Sequence, residues 1–200
     1  LLISGGNKFY YSDNEGFTIN QSSGLNGVES WGEIYRSIVT FHDTNTNPVI
    51  FVLTKEWDSG STIKIFRSDD IGESFYEIYS TPLESEKAYD IWTDRYEFSD
   101  VFFLKNGNLF SISVDDNIIN YIANVGPQNQ GENIISGGKD LANNGQYHFH
   151  AKIGTRSYFS NSNGIFWLDK GELPSYTFFR NSYSCSYDNM NLVTIGGIDL

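Results

Sequence analysis

Residues 68–75 read Ser-Asp-Asp-Ile-Gly-Glu-Ser-Phe, and they follow a run of alternating residues at 62–67. Gly72 supplies a turn residue with φ > 0, a conformation that bulky residues adopt only at a cost. Asp70 is suited to accept hydrogen bonds from nearby backbone N–H groups, and Phe75 to begin the next strand against the core. The stretch therefore predicts a β-hairpin with a turn fixed by its own side chains, a structural role that accounts for every position.

The same pattern, Ser-x-Asp-x-Gly-x-Ser/Thr-aromatic, recurs twice in weaker form. Residues 12–19 read Ser-Asp-Asn-Glu-Gly-Phe-Thr-Ile, and residues 160–167 read Ser-Asn-Ser-Asn-Gly-Ile-Phe-Trp. Each copy follows a strand-like run, so the sequence predicts a chain of repeated hairpins. The positions assigned to the three copies are Ser12, Asn14, Gly16, Thr18, Ser68, Asp70, Gly72, Ser74, Phe75, Ser160, Gly164 and Trp167.

This octapeptide resembles the Asp-box, or BNR repeat, of β-propellers such as those of sialidases and sortilin-type receptors. The resemblance implies blades of four antiparallel strands, with the box between the third and fourth strands and away from the ligand-binding face. The motif glycines Gly16, Gly72 and Gly164 stand 56 and 92 residues apart, and 92 is twice 46. A further unit is therefore expected near residue 116, where residues 114–117 provide a turn without the motif glycine. Repeats of about 45–55 residues suit propeller blades.

We therefore predict an all-β fold, an Asp-box β-propeller of four-stranded antiparallel blades. Aromatic residues make up 16% of the chain, and no convincing helical stripe is present. The expected organisation is one propeller segment, with blades at approximately 1–30, 31–83, 84–126, 127–173 and 174–200. The fourth strands of the blades that contain a box are placed at 17–21, 75–80 and 165–168.

The two ends of the chain read alike. Residues 192–197 parallel residues 2–6, and both read as the second strand of a blade. We therefore expect three whole and two partial blades, and hence a segment of a larger propeller or assembly. No stretch approaches the roughly 18 apolar residues of a membrane span, so none is predicted.

Charge limits the expected partners. The net charge is −12 and the isoelectric point is near 4.5, which argues against a nucleic-acid backbone or an anionic membrane surface as the main ligand. The acidic residues cluster at predicted turns, where solvated Asp and Asn side chains are common. The alternative is a Ca²⁺ site, for which Asp115, Asp116 and Asn117 are the best candidates, although they match no complete calcium loop. No other cofactor is expected.

Histidine and cysteine give little support for other chemistry. His148 and His150 are two residues apart on a predicted strand and so share a face, as zinc ligands do, but a third ligand is not evident. Two imidazoles on a surface or ligand-binding face are the alternative. Cys185 is the only cysteine, which excludes an internal disulfide.

Two classes of function stay open. A sialidase-like glycoside hydrolase of the retaining type is one, because the resemblance implies three arginines on a substrate carboxylate and a Tyr nucleophile. Arg36, Arg95 and Arg180 are the candidate arginines, but the Arg-Ile-Pro motif of that family is absent and no complete site can be assembled.

The other class, which we favour, is a non-catalytic module that binds a glycan or a protein, or that assembles with the rest of a larger propeller. Trp31 and Trp92 are candidate contact residues, because aromatic rings suit both sugars and proteins, or else they are core residues between blades. An extracellular, cell-surface or virus-particle location is expected.

Overall fold

The computed structural model describes residues 2–5, 7–25, 27–28, 32–42, 45–56, 62–82, 89–94, 100–140, 145–173, 182–185 and 193–196. Within this part of the chain, every element with defined bounds is a β-strand. Strands that follow one another along the chain pair antiparallel and form separate sheets. The chain divides into two compact units.

The first unit comprises Leu1–Leu83, Arg95–Ser99 and Ser113–Asn117. Its first sheet has the order β1-β2-β3, and its second sheet has the order β4-β5-β6-β7. The strands are β1 (Leu2–Gly5), β2 (Lys8–Tyr11), β3 (Asn20–Gln21), β4 (Gly32–His42), β5 (Asn45–Glu56), β6 (Thr62–Ser68) and β7 (Tyr76–Pro82).

Apolar side chains from both sheets form the core of the first unit. The rings of Phe9 and Phe75 meet edge to face with centroids 5.0 Å apart, and Ile50, Val52 and Phe66 belong to the same cluster. Each such side chain stabilises the fold by about 1.5–3 kcal/mol when it leaves water. Residues 49–56 of β5 are all buried, so both faces of this strand are covered.

The second unit comprises Glu84–Asp94, Asp100–Ile112 and Ile118–Leu200. It contains two four-stranded sheets, β8-β9-β10-β11 and β12-β13-β14-β15, and the two-stranded sheet β16-β17. The strands are β8 (Tyr89–Thr93), β9 (Val101–Lys105), β10 (Asn108–Ile112), β11 (Ile119–Asn124), β12 (Asn133–Asp140), β13 (Gln146–Ile153), β14 (Arg156–Ser160), β15 (Leu168–Glu172), β16 (Ser182–Cys185) and β17 (Val193–Gly196).

Aromatic rings dominate the core between the two four-stranded sheets of this unit. Phe102 and Phe149 lie 4.7 Å apart between centroids, and Trp92 lies 5.6 Å from Phe149. Trp167 packs on the same cluster and stacks on Phe149 at 6.2 Å. The alternation of buried and half-buried residues along β13 places Tyr147 and Phe149 in this core.

The prediction of an all-β chain with four-stranded antiparallel sheets is confirmed. The turn expected near residue 116 is also present, because β10 ends at Ile112 and β11 begins at Ile119. Within the described residues, no helix is long and apolar enough to cross a membrane.

The predicted starts of the fourth strands were too early. Those strands begin at Asn20, Tyr76 and Leu168 rather than at residues 17, 75 and 165. In the third copy the Phe166 N–H donates to the Ser162 hydroxyl at 2.9 Å and the Ile165 N–H donates to the Ser162 carbonyl at 3.0 Å. Such bonds hold these residues in the turn, so strand pairing starts only beyond them.

Candidate functional site

The backbone of the three octapeptides follows one pattern. The fourth and fifth residues have positive φ in each copy, 59° and 92° at Glu15 and Gly16, 61° and 88° at Ile71 and Gly72, and 54° and 78° at Asn163 and Gly164. The sixth N–H donates to the third carbonyl in all three, at 3.0–3.3 Å. Two central residues with φ > 0 and this hydrogen bond define a type I′ turn. The predicted positive φ of the motif glycines is confirmed.

Side chains fasten the first two turns in the same way. The Ser68 hydroxyl accepts the Gly72 N–H at 2.9 Å, as Ser12 accepts that of Gly16 at 2.8 Å. Asp70 Oδ1 accepts the Ser74 N–H at 2.9 Å, and its counterpart Asn14 accepts the Thr18 N–H at 2.8 Å. The prediction that the third residue bonds to backbone N–H groups is therefore confirmed.

Hydrogen bonding also sets the charge state of Asp70. Burial by itself raises the pKa of this carboxyl, but the hydroxyl and N–H of Ser74 and the hydroxyl of Ser68 outweigh it. The pKa of Asp70 therefore lies below its ordinary value, and the turn keeps an ionised acceptor at neutral pH.

The third octapeptide uses a hydroxyl where the others use a carboxylate or an amide. Ser162 Oγ accepts the Phe166 N–H at 2.9 Å, and Ser160 Oγ lies 3.2 Å from Ser162 Oγ. The final residues of the three copies differ. Phe75 is buried, Ile19 is exposed, and Trp167 is partly buried and donates its indole N–H to the Gly164 carbonyl at 2.7 Å.

The three octapeptide turns, which we call the box turns, occupy equivalent places in their sheets. They join β2 to β3, β6 to β7 and β14 to β15, and in the four-stranded sheets this is the connection between the third and fourth strands. In an antiparallel meander, that connection lies at the same end as the connection between the first and second strands. The connection between the second and third strands lies at the opposite end, which leaves it free of the box turns.

In the second unit, the end opposite the box turn is rich in side-chain amides. Asn106 Oδ1 accepts the Asn129 N–H at 2.6 Å, and Asn133 Oδ1 accepts the Gly107 N–H at 2.9 Å. Asn106 and Gly107 form a two-residue hairpin turn with φ of 46° and 78°. We call this region the amide-rich end and define it as residues 106–108, 124–133 and 154–155.

The buried Asn side chains of this end form a hydrogen-bonded frame that supports a loop with exposed Gln side chains. Asn133 and Asn106 are buried, and Asn133 also donates to the Gly131 carbonyl at 2.8 Å. The Gly154 N–H donates to the Glu132 carbonyl at 2.8 Å, which ties the turn between β13 and β14 to the same loop. Gln128 and Gln130 are exposed at its surface. A hydrogen-bonded loop with exposed carboxamides offers both donors and acceptors to a polar ligand.

The structure describes two of the five candidate ligand residues from the sequence, Trp92 and Arg36. Trp92 packs in the core of the second unit, against Phe102 and Phe149. Arg36 lies half-buried on β4, in the first unit. Trp31, Arg95 and Arg180 lie outside the described residues, as does the side chain of Cys185. Trp92 and Arg36 belong to different units, and a site that joins the five candidate residues stays a prediction.

The amide-rich end was missed by the sequence interpretation. The Asn-Gly pair at 106–107 is a strong hairpin signal, and residues 120–133 contain an unusual density of Asn and Gln. These signals locate a turn and a polar loop. They do not reveal that Asn106 and Asn129 bond to each other.

The proposed calcium ligands lie in the turn between β10 and β11. The Asn117 carboxamide oxygen accepts a hydrogen bond from Arg67 Nη1 at 2.8 Å. An oxygen that faces a guanidinium is a poor ligand for a divalent cation. Among the described residues, no group of three or more His, Cys, Asp or Glu side chains is arranged to hold a metal ion.

His148 and His150 share a face of β13, as predicted from their spacing, on the side opposite Tyr147 and Phe149. The His150 ring lies 4.8 Å from the ring of Phe159. Burial, together with the positive charges of His148 and Lys170, lowers the pKa of His150 from 6.5 to about 4. The folded protein therefore holds this imidazole neutral at mildly acidic pH.

This shift predicts that the protein loses stability as pH falls from about 6.5 to 4. The unfolded chain binds a proton on His150 in that range and the folded chain does not, so acid favours unfolding. The loss is expected to be about 2 kcal/mol after allowance for partial solvent exposure of the ring. Urea unfolding at several pH values measures it. Between about pH 6.5 and 5, the free energy of unfolding should fall much less in His150→Phe than in the unmodified protein, and it should still fall in His148→Gln. An equal fall in His150→Phe would contradict the assignment.

Comparison of the chain with family models and with curated proteins returns no match.

Proposed function

We propose that this chain is part of an Asp-box β-propeller that acts as a non-catalytic binding module, with the amide-rich end as its ligand surface. Carbohydrate is the ligand class that this surface suits, because exposed carboxamides pair with the vicinal hydroxyls of sugars as both donors and acceptors. The observation that carries the proposal is the hydrogen-bonded frame of Asn106, Asn129 and Asn133 beneath exposed Gln128 and Gln130.

Three features support the propeller. The octapeptide turns recur between third and fourth strands, as in the Asp-box family. Both complete sheets that carry a box also shift register at the same place, between Ile65 and Phe66 and between Ser157 and Tyr158, two to three residues before the box serine. The inner strands β5 and β9 bury residues on both faces, as blades do between two neighbours. An extracellular, cell-surface or virus-particle setting agrees with such a module.

A glycan array with the full chain tests this function. We expect saturable binding to a subset of glycans, and we expect Gln128→Ala/Gln130→Ala to weaken it at least about tenfold, since lost hydrogen bonds to a polar ligand cost of the order of 1 kcal/mol each. The melting temperature should not change, because both side chains are exposed. Gln146→Ala, on β13 at the box-turn end, is the matched control and should bind normally.

An enzyme assay tests the alternative function, a glycoside hydrolase. A panel of fluorogenic glycosides, including a sialoside, should show no turnover. Turnover that disappears in Arg36→Ala would replace the proposed function with a glycoside hydrolase. Absence of both glycan binding and turnover would reject carbohydrate as the ligand class.

A further inference from the structure

Hydrogen bonds fix the orientation of the Asn129 carboxamide at the amide-rich end. The Asn129 N–H donates to Asn106 Oδ1 at 2.6 Å, and Asn106 Nδ2 donates to Asn129 Oδ1 at 3.3 Å. Because a backbone N–H can only donate, the first bond orients Asn106, and Asn106 then orients Asn129. Asn129 is exposed, and among the described residues none accepts a hydrogen bond from its Nδ2. This side chain therefore presents a donor of fixed orientation.

Asn124 presents an acceptor instead. Its Nδ2 donates to the Gly126 carbonyl at 3.2 Å and to Asn108 Oδ1 at 3.1 Å. Because a carbonyl oxygen can only accept, Nδ2 must be the atom that faces Gly126, and Oδ1 lies on the other side of the amide group. Asn124 is exposed, and no hydrogen bond from the described part of the chain reaches its Oδ1.

The donor and the acceptor are both tied to one hairpin turn. Asn124 Nδ2 also lies 3.4 Å from the Gly107 carbonyl, and Asn129 bonds to Asn106, the preceding residue of that turn. Polar groups that are already held in place lose little conformational freedom when a ligand binds. They also discriminate sharply, because a ligand without the matching group leaves them unpaired.

The amide-rich end, all of whose residues the structure describes, offers no unpaired charge to a ligand. Glu132 is its only charged residue, and the Glu132 carboxylate pairs with Lys152 Nζ. The cations that adjoin this end along the chain are also engaged. Arg156 pairs with two carboxylates of β15, and Lys105 is half-buried and has a partner. Since the whole chain carries a charge of −12, an anionic ligand would be repelled at long range and would find no unpaired cation at this surface.

We propose that Asn124 Oδ1 and Asn129 Nδ2 select the ligand of the amide-rich end, and that this ligand is an uncharged glycan. Asn124 Oδ1 accepts a hydrogen bond from one sugar hydroxyl, and Asn129 Nδ2 donates to the oxygen of another. An ionised carboxylate, sulfate or phosphate has no hydrogen to donate to Asn124. The inference rests on the proposed function, because it concerns the same surface.

A glycan array of matched pairs tests the ligand class. Neutral galactosides, glucosides and mannosides are printed beside sulfated, phosphorylated or sialylated forms of the same glycans, and the full chain is applied at low and at physiological salt. We expect the neutral member of each bound pair to bind at least about tenfold more tightly, with a larger ratio at low salt, where repulsion is less screened. Anionic members that bind as tightly as their neutral parents would overturn the inference and leave the proposed function intact.

Substitution of Asn129 tests the contact itself. Asn129→Asp keeps the oxygen that accepts from Asn106 and replaces the free donor with a carboxylate oxygen. It should weaken binding of neutral glycans at least about tenfold without lowering the melting temperature. Asn124→Ala removes the proposed acceptor and should weaken binding by a similar factor. Asn120→Asp is the matched control, because it adds the same charge at an exposed position of β11 outside the amide-rich end, and it should bind normally.

The variants also separate this inference from the proposed function. Neutral glycans that bind Asn129→Asp or Asn124→Ala as tightly as the unmodified protein would overturn the inference, and the function would stand if Gln128→Ala/Gln130→Ala still weakened binding. An equal loss in Asn120→Asp and Asn129→Asp would assign the effect to added charge alone and would also overturn it. An array on which no glycan binds would reject the proposed function and this inference together.

Discussion

Replacement of Gly24 by alanine is expected to destabilise the first unit by more than about 3 kcal/mol, because it combines backbone strain with a steric clash. Gly24 has a φ of +87°, and a Cβ there would stand 1.9 Å from the Phe75 carbonyl oxygen. The backbone cannot withdraw freely. The Ser23 N–H donates to the Glu73 carbonyl and the Phe75 N–H donates to the Ser23 carbonyl, both at 3.0 Å.

The matched control for this prediction is Gly171→Ala. Gly171 has a φ of +96°, and a Cβ there would have no atom within 4 Å. Gly171→Ala therefore introduces the backbone strain without the steric clash, and it should lower the free energy of unfolding by about 1–2 kcal/mol. Urea unfolding followed by circular dichroism measures both variants. Equal losses would show that the contact between residues 22–24 and the second box turn is not tight.

The octapeptide predicted much of the fold because its chemistry is local. Within eight residues, Ser68, Asp70 and Gly72 satisfy one another's hydrogen bonds and backbone angles, so the turn is specified without the rest of the protein. Recurrence of the pattern then gave the strand order. At the turn that lacks the motif glycine, Asn117 takes the positive φ, 62°. Asn tolerates that conformation better than most residues do.

Contacts between distant segments were not predicted. Asn106 and Asn129 are 23 residues apart, and Ser22 donates its hydroxyl to the carbonyl of Gly72, 50 residues away. Nothing in the local pattern of any of these residues specifies a partner at that distance. The amide-rich end depends on such pairs. The sequence therefore indicated a polar loop there, but not the hydrogen bonds that hold the loop in place. Arg67 directly precedes Ser68 in the sequence, but its partners at residues 114 and 117 could not be predicted from that position.

Removal of the Arg67 side chain is expected to lower the free energy of unfolding by about 2–4 kcal/mol, because it removes a buried side chain and the hydrogen bonds that this side chain donates to three acceptors. Arg67 is 5% exposed. Its Nε and Nη2 donate to Asp69 Oδ1 at 2.8 and 2.6 Å, and its Nη1 donates to the carbonyl of Val114 and to Asn117 Oδ1. One guanidinium therefore joins the second box turn to the turn at 113–117, which belongs to the same unit.

Two variants separate charge from geometry. Arg67→Lys keeps the positive charge but has a single ammonium group that cannot reach Asp69 and Val114 together, so it should recover less than half of the loss. Arg156→Ala is the control, since the ion pair of Arg156 with Asp169 is more exposed and should contribute less than about 1 kcal/mol. Urea unfolding gives the stabilities, and hydrogen exchange at residues 113–117 should accelerate in Arg67→Ala. If Arg67→Lys is as stable as the unmodified protein, a positive charge at this position is enough for stability. The simultaneous hydrogen bonds of the guanidinium to the two turns would then not be what stabilises the protein.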